Sequence, residues 1–365
     1  MAIYKIFPSK DTTLYSFYPD MNTGVDSILE VKNYNINFDP VPQVTRFLIQ
    51  FPQSEINEIV NNKIKGKQFN SSIKLFIAQA QGIIGETNLE VFPLAESWNN
   101  GNGTYLDLPF STNGASWEWK DFKDGERWNV FNSPQDTTSS FESGNSGGGL
   151  WYTSSKSEIT FDRRSIKDIE ADITPIVDLW CSSSIDNNGL IFKWEDGIEF
   201  NNNEAVQPIL QFYSIDTNTI YPPCLELKWD DSEFSPGDLP EIPDSEIFMS
   251  IDTKDKYNIN SVNRFRINVR PKYPPRVFQT GSINTENYHL PETSYFAIKD
   301  LDTQDFLINF DSQFTKISCD NKGNYFDLYM NGLEPERNYE ILIKTIIDNE
   351  VIILKNKNYF KIVNG

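Results

Sequence analysis

One histidine, three scattered cysteines and a large stock of carboxylates are the groups in this chain that could do chemistry. His289 is the single histidine among 365 residues. A Ser/His/Asp triad or a multi-histidine metal site therefore has little to build on. It sits in the turn-like stretch Asn287-Tyr288-His289-Leu290-Pro291 and is expected to be an ordinary packed or surface side chain. Cys181, Cys224 and Cys319 form no Cys-x-x-Cys pair, so neither a zinc site nor a redox motif is signalled. Gly147-Gly148-Gly149 lacks the lysine and the helix that would cradle a phosphate.

The carboxylates need more weighing, because two of them facing a groove could hydrolyse a glycosidic bond. Here 52 acidic residues are scattered over turns, which is what a solvated acidic surface gives. Asp300-Leu301-Asp302-Thr303-Gln304-Asp305 and Asp186-Asn187-Asn188-Gly189 offer oxygen ligands, and calcium is the one metal they leave open. Neither follows the spacing of a twelve-residue calcium loop, and Asx-turn chemistry explains both more simply. The expectation is a protein that is not an enzyme and carries no cofactor.

Aromatic side chains are the remaining candidates. Trp117, Trp119 and Trp128, with Trp151 nearby, fall in one Gly-rich stretch. Exposed indoles can stack on sugar rings or anchor a protein partner. These three are the expected partner or glycan contacts, unless the stretch folds back and buries them, as tryptophan more often is.

The elements that must carry these residues read as strands. Thr45-Arg46-Phe47-Leu48-Ile49-Gln50-Phe51 and Cys224-Leu225-Glu226-Leu227-Lys228-Trp229 are short runs bounded by turn residues. Aromatic content of 14% favours pleated surfaces. The spacing predicts an all-β chain with two sandwich domains, since 365 residues exceed one ordinary core. The first domain spans 1–229 and is interrupted by an aromatic and Gly-rich excursion at 99–156. One helix is predicted near 53–62, capped by Ser54. Residues 230–246, acidic with three prolines, read as an extended linker. The second domain spans 247–365.

Net charge of −20 argues against a nucleic-acid partner, because such a surface repels phosphate. No run approaches the roughly 18 apolar residues that would span a bilayer, so no membrane role is expected. The N-terminus enters a strand at once without a signal-peptide pattern, and three unpaired thiols suit a reducing compartment, so synthesis in a cytoplasm is expected.

Two resemblances follow. Gly332-Leu333-Glu334-Pro335-Glu336-Arg337-Asn338-Tyr339 resembles the Leu-x-Pro-x-x-x-Tyr turn of fibronectin type III domains. It implies an immunoglobulin-like sandwich in which Leu333, Pro335 and Tyr339 build a structural tyrosine corner. Residues 3–229 resemble the DNRLRE-type family, a jelly-roll-like sandwich related to carbohydrate-binding modules. The likeness rests on ordered blocks such as Asp11-Thr12-Thr13-Leu14-Tyr15, the arginine-marked strand at Arg46, and Asp172-Ile173-Thr174-Pro175. The long excursion departs from the usual module. The opening Met1-Ala2-Ile3-Tyr4-Lys5-Ile6-Phe7-Pro8 and Asn113-Gly114-Ala115-Ser116-Trp117 are also similar to virion structural proteins of tailed bacteriophages. That implies a protein of the virion, made in the host cytoplasm, whose partners are other virion proteins and copies of itself. The alternative is a carbohydrate-binding protein that holds a glycan through the aromatic excursion.

Overall fold

Two strands of the first unit are buried on both faces, and they set its architecture. β4 (Gln43–Gln50) is buried at every residue but the last, and β14 (Leu190–Trp194) throughout. Strands with no polar alternation are covered on both sides. The computed structural model describes residues 2–34, 43–83, 85–129, 136–139, 147–162, 167–199, 208–273, 287–354 and 358–364. The chain is all-β and divides into two compact units, one of Ile6–Lys65 with Asn70–Glu226, the other of Met1–Lys5, Gly66–Phe69 and Leu227–Gly365.

In the first unit, β2 (Lys10–Tyr15), β3 (Ile28–Tyr34), β6 (Ile77–Gln81), β7 (Thr87–Pro93), β12 (Ser157–Phe161) and β15 (Ile209–Tyr213) join β4 and β14 in an eight-stranded sheet. Its order is β12-β7-β14-β4-β3-β15-β6, with β2 also paired to β4. A four-stranded sheet runs β1-β16-β5-β13, formed by β1 (Ala2–Ile6), β16 (Cys224–Trp229), β5 (Phe69–Leu75) and β13 (Ile169–Asp172). Along β4 the side chains alternate. Phe47 stacks on Phe192 at 4.4 Å and meets Phe212 at 5.6 Å, while Val44 and Leu48 join a second apolar cluster made with the excursion. Each fully buried Phe or Leu contributes roughly 1.5–3 kcal/mol.

The predicted helix forms as α1 (Gln53–Ile59), then continues as a π-helical turn to Ile64 and stops at Lys65, whose φ is 54°. Its N-cap is Pro52, not Ser54, and no side chain caps it. Proline's fixed φ starts the helix two residues earlier than the Ser54 cap suggests. A second helix, α2 (Thr174–Cys181), buries Ile176, Val177 and Trp180.

The C-terminal unit is a sandwich of two sheets. One has the order β17-β19-β23-β22, from β17 (Ile247–Ile251), β19 (Val262–Pro271), β23 (Gly323–Tyr329) and β22 (Ser318–Asp320). The other runs β18-β26-β24-β20-β21, with β25 (Glu350–Leu354) on β24 (Asn338–Ile347). Its remaining strands are β18 (Lys256–Asn258), β20 (Ser294–Asp300), β21 (Phe306–Ile308) and β26 (Tyr359–Val363). Phe326 stacks on both Phe265 (5.2 Å) and Phe296 (4.2 Å) in the core.

Tyr339 is fully buried and its hydroxyl donates to the Glu334 carbonyl at 3.0 Å, the geometry of a tyrosine corner. Leu333 is buried beside it, and Pro335 lies in the turn between.

Residues 230–246 differ from the free linker that composition suggests. Phe234 bridges Cys319, Glu241 bridges His289, and Ile242 is buried in the core of the C-terminal unit. Backbone bonds from Ser235 to Cys319 and from Ile242 to His289 hold the segment there. Two apolar anchors, Phe234 and Ile242, stand among the acids and prolines, and net charge alone did not reveal them. His289 is itself packed, 5.6 Å from the Phe234 ring and bonded through Nδ1 to the Leu290 carbonyl. The Asp300 carboxylate takes both prongs of Arg337 (2.6 and 2.9 Å) and the amides of Asp302 and Thr303, so the turn itself fills its acceptors.

Candidate functional site

The excursion folds back on the eight-stranded sheet, and this decides the fate of the tryptophans. Within it, β8 (Trp119–Asp121) pairs β9 (Glu126–Arg127), and β10 (Thr137–Thr138) pairs β11 (Trp151–Tyr152). Trp117, Trp128 and Trp151 are buried against Leu14, Val44, Leu48 and Ile191. Trp128 Nε1 donates to the Ser116 carbonyl at 2.9 Å. Trp117 and Trp128 are therefore core side chains and present no face to a ligand. An indole that finds both a buried site and a partner for its N–H is worth more inside than in water. Trp119 is half-buried: Arg127 lies 4.2 Å from its ring, and its Nε1 donates to Asp20 at 2.7 Å.

A buried ion cluster fastens the end of this flap. Arg46 and Glu199 are both fully buried, with Nε–Oε1 at 2.7 Å and Nη2–Oε2 at 3.0 Å. Nη1 of Arg46 donates to the Gly148 carbonyl at 2.8 Å, and the guanidinium lies between the Trp117 and Trp151 rings, at 5.0 and 4.8 Å. Lys193, also buried, reaches Glu90 (3.1 Å) and Asp196 (2.8 Å). The sequence carried the signal: a cation in the middle of each of two apolar strands, with acids and indoles elsewhere to receive them.

The open chemistry lies at the other end of the flap. On β3, Ile28, Glu30 and Lys32 share one face by the two-residue period, and Leu29 and Val31 enter the core. β15 places Gln211 directly opposite Glu30, and its Nε2 donates to Glu30 Oε1 at 3.0 Å. Tyr15, at the end of β2, forms the floor beneath Tyr105, with ring centroids 4.8 Å apart at 32°. Lys32 Nζ lies 3.0 Å from Glu30 Oε2 and over both rings, at 5.3 and 5.7 Å.

Two lobes open on either side of this Lys32–Tyr105 bridge. One, of about 180 Å³, is bounded by Phe17, Tyr18 and Val44; the other, of about 350 Å³, by Asp26, Glu30, Thr104 and Gln211. Tyr105 is 40% exposed and Phe17 49%, so aromatic faces meet solvent here. Burial raises the Tyr15 phenol well above its ordinary range, with Glu30 and Asp26 adding to the effect. Burial also raises the Tyr105 phenol and the Asp26 carboxyl. Both phenols thus stay protonated and can donate.

Asn22 holds the cleft in shape. Fully buried, it donates from Nδ2 to the carbonyls of Asn100 and Ala115 (both 2.8 Å), and its Oδ1 accepts from Gly103 (2.8 Å) and Gly24 (3.2 Å). Gly101, at φ +74°, passes so close that a Cβ there would fall on the Asn22 carboxamide. One side chain thus ties the loop that carries Tyr105 to the loop between β2 and β3. The Tyr105 amide then donates to Asp26 Oδ2 at 3.1 Å. Sequence reasoning missed this site, because its rings lie some ninety residues apart and tyrosine drew less notice than tryptophan.

Among the described residues, no helix is long and apolar enough to cross a membrane. No known family profile matches the chain, and no curated protein does. Among solved structures, the β-glucuronidase of Parabacteroides merdae aligns with 96% of this chain and 36% of its own length, at 7% identity. Its TM-score is 0.17, and that likeness carries no argument about fold or function.

Proposed function

We propose that this chain is a non-enzymatic structural protein of a tailed-bacteriophage virion, working through interfaces with copies of itself and with other virion proteins. The observation that carries the reading is the outer edge of β25. Val351 is 62% exposed and Ile353 48%, and among the described residues no strand but β24 pairs with β25. A free-standing sandwich normally blunts such an edge with charge, proline or a bulge. An apolar edge left bare is suited to being covered by a neighbouring subunit. The buried charges support the same reading: Arg46, Glu199 and Lys193 are engaged in bracing the flap and face no open groove. The sequence likeness of the N-terminal strand and of the 113–117 stretch to virion proteins supplies the particle.

The test is mass spectrometry of purified particles from the host that makes this protein. Stoichiometric recovery is expected, resistant to washing in high salt. Particles that lack the chain would overturn the proposal.

A further inference from the structure

We propose that the cleft around Tyr15 and Tyr105 binds a neutral oligosaccharide. One pyranose ring lies on the exposed face of Tyr105 in the larger lobe, and the next sugar reaches the lobe of Phe17 and Tyr18. This goes beyond the particle-interface reading and does not rest on it. It also places sugar recognition away from the candidate tryptophans, of which Trp117 and Trp128 are buried.

Three features select the ligand class. A cation is disfavoured, although rings and carboxylates usually attract one, because Lys32 already occupies that position, 3.0 Å from Glu30 and over both rings. An anion is disfavoured by Glu30 and Asp26 in the wall and by the net charge of −20. A wholly apolar ligand would strip water from Glu30, Thr104 and Gln211 without replacing its hydrogen bonds. A neutral sugar fits all three constraints. Its C–H face packs on an aromatic ring, and its hydroxyls both donate and accept around the rim.

The two lobes share Tyr15, Lys32 and Tyr105 in their walls, so they adjoin across the Lys32–Tyr105 bridge and a ligand of two sugars can run over it from one to the other. Volumes of about 180 and 350 Å³ together suit the low end of small-molecule sites, ~300–1,000 Å³. The Asn22 network fixes the loop of Tyr105 before any ligand arrives, which lowers the ordering cost of binding.

The experiment is an array of neutral hexose and N-acetylhexosamine oligosaccharides, with sulfated and uronate glycans and an oligolysine peptide as further arms, followed by calorimetry on the best binder. The full chain is expected to bind at least one neutral oligosaccharide of two or more units. Tyr105→Ala should weaken it by roughly tenfold or more, while Tyr105→Phe stays within about threefold, since the ring face is kept. Trp119→Ala should leave binding unchanged. Should Tyr105→Ala fail to fold, Gln211→Leu tests the rim, with an expected loss of roughly threefold or more. Binding by no neutral glycan, preference for the anionic or oligolysine arms, or affinity indifferent to both Tyr105→Ala and Gln211→Leu would each overturn the proposal.

Discussion

Arg46 and Glu199 stand 153 residues apart in the chain and meet as a two-pronged, fully buried ion pair. Removing one partner leaves the other charge buried alone, which costs ~3–5 kcal/mol in comparable sites. Glu199→Ala should therefore lower unfolding stability by about that amount and speed proteolysis of the flap, whose Gly148 carbonyl Arg46 holds. Replacing both, as Arg46→Met with Glu199→Leu, should recover much of the loss. Urea denaturation decides it: a single-variant loss below about 1 kcal/mol would mean the pair behaves like a surface one.

Asn22 makes the second claim testable. Asn22→Asp exchanges two donated hydrogen bonds for a carboxylate facing the carbonyls of Asn100 and Ala115. Each carbonyl left unsatisfied costs ~1–3 kcal/mol. The variant should lose at least about 2 kcal/mol and be cut faster by chymotrypsin next to Tyr105, as that loop comes loose. Unchanged cleavage and stability would show that the loop is fixed by other contacts.

The strands, the tyrosine corner and the two-sandwich plan were legible because each rests on local pattern. The period of β3 and the Leu333-x-Pro335 turn before Tyr339 need no distant partner to be read. The flap was legible as a flap, but its direction was not. Whether Trp117 and Trp128 face water depends on Arg46 and on Val44 and Leu48, some seventy or more residues earlier, and no local spacing encodes that meeting. The same holds for the cleft, whose floor comes from β2 and whose exposed ring comes from the excursion. Residues 230–246 were misleading for another reason. Their composition is that of a linker, yet Phe234 and Ile242, with backbone bonds to Cys319 and His289, lay the segment along the C-terminal unit.

Asp11 gives a pH dependence with an unusual sign. Burial, opposed by an N–H from Ile215 and reinforced by Asp216 and Asp26, pushes its carboxyl from 3.8 to about 7. Below 3.8 it is protonated in both folded and unfolded chains and costs nothing. As pH rises towards 7, the unfolded chain releases this proton while the folded one keeps it, so stability falls; above 7 the penalty is constant. The full contribution is at most roughly 4 kcal/mol. Asp11→Asn, which can still accept from Ile215 (2.8 Å in the parent), should gain on the parent between pH 4 and pH 8. Denaturation curves at both pH values that differ equally from the parent's would rule Asp11 out as the source.

Tyr339→Phe removes one hydroxyl and leaves the Glu334 carbonyl without its donor while keeping the packed ring. The expected loss is about 1–2 kcal/mol. Tyr339→Ala should cost ~3–5 kcal/mol, because it also opens a cavity beside Phe360, 5.6 Å away. An unchanged stability in Tyr339→Phe would mean that the corner bond contributes nothing beyond the ring's packing.

The edge of β25 separates an assembling protein from one that merely tolerates an apolar strand. Val351 and Ile353 point outward from a hairpin whose inner side is already satisfied by β24, from Ile343↔Leu354 to Ile347↔Glu350. Placing lysine at both positions removes apolar area and sets charge on the edge, which is how natural edges resist pairing. Because both side chains are exposed, Val351→Lys with Ile353→Lys should change unfolding stability by no more than about 0.5 kcal/mol per site. Self-association measured by sedimentation should nevertheless weaken by roughly tenfold. If the parent stays monomeric at high concentration, or the lysine pair associates as the parent does, this edge is not a subunit contact. The particle reading would then have to rest on another surface.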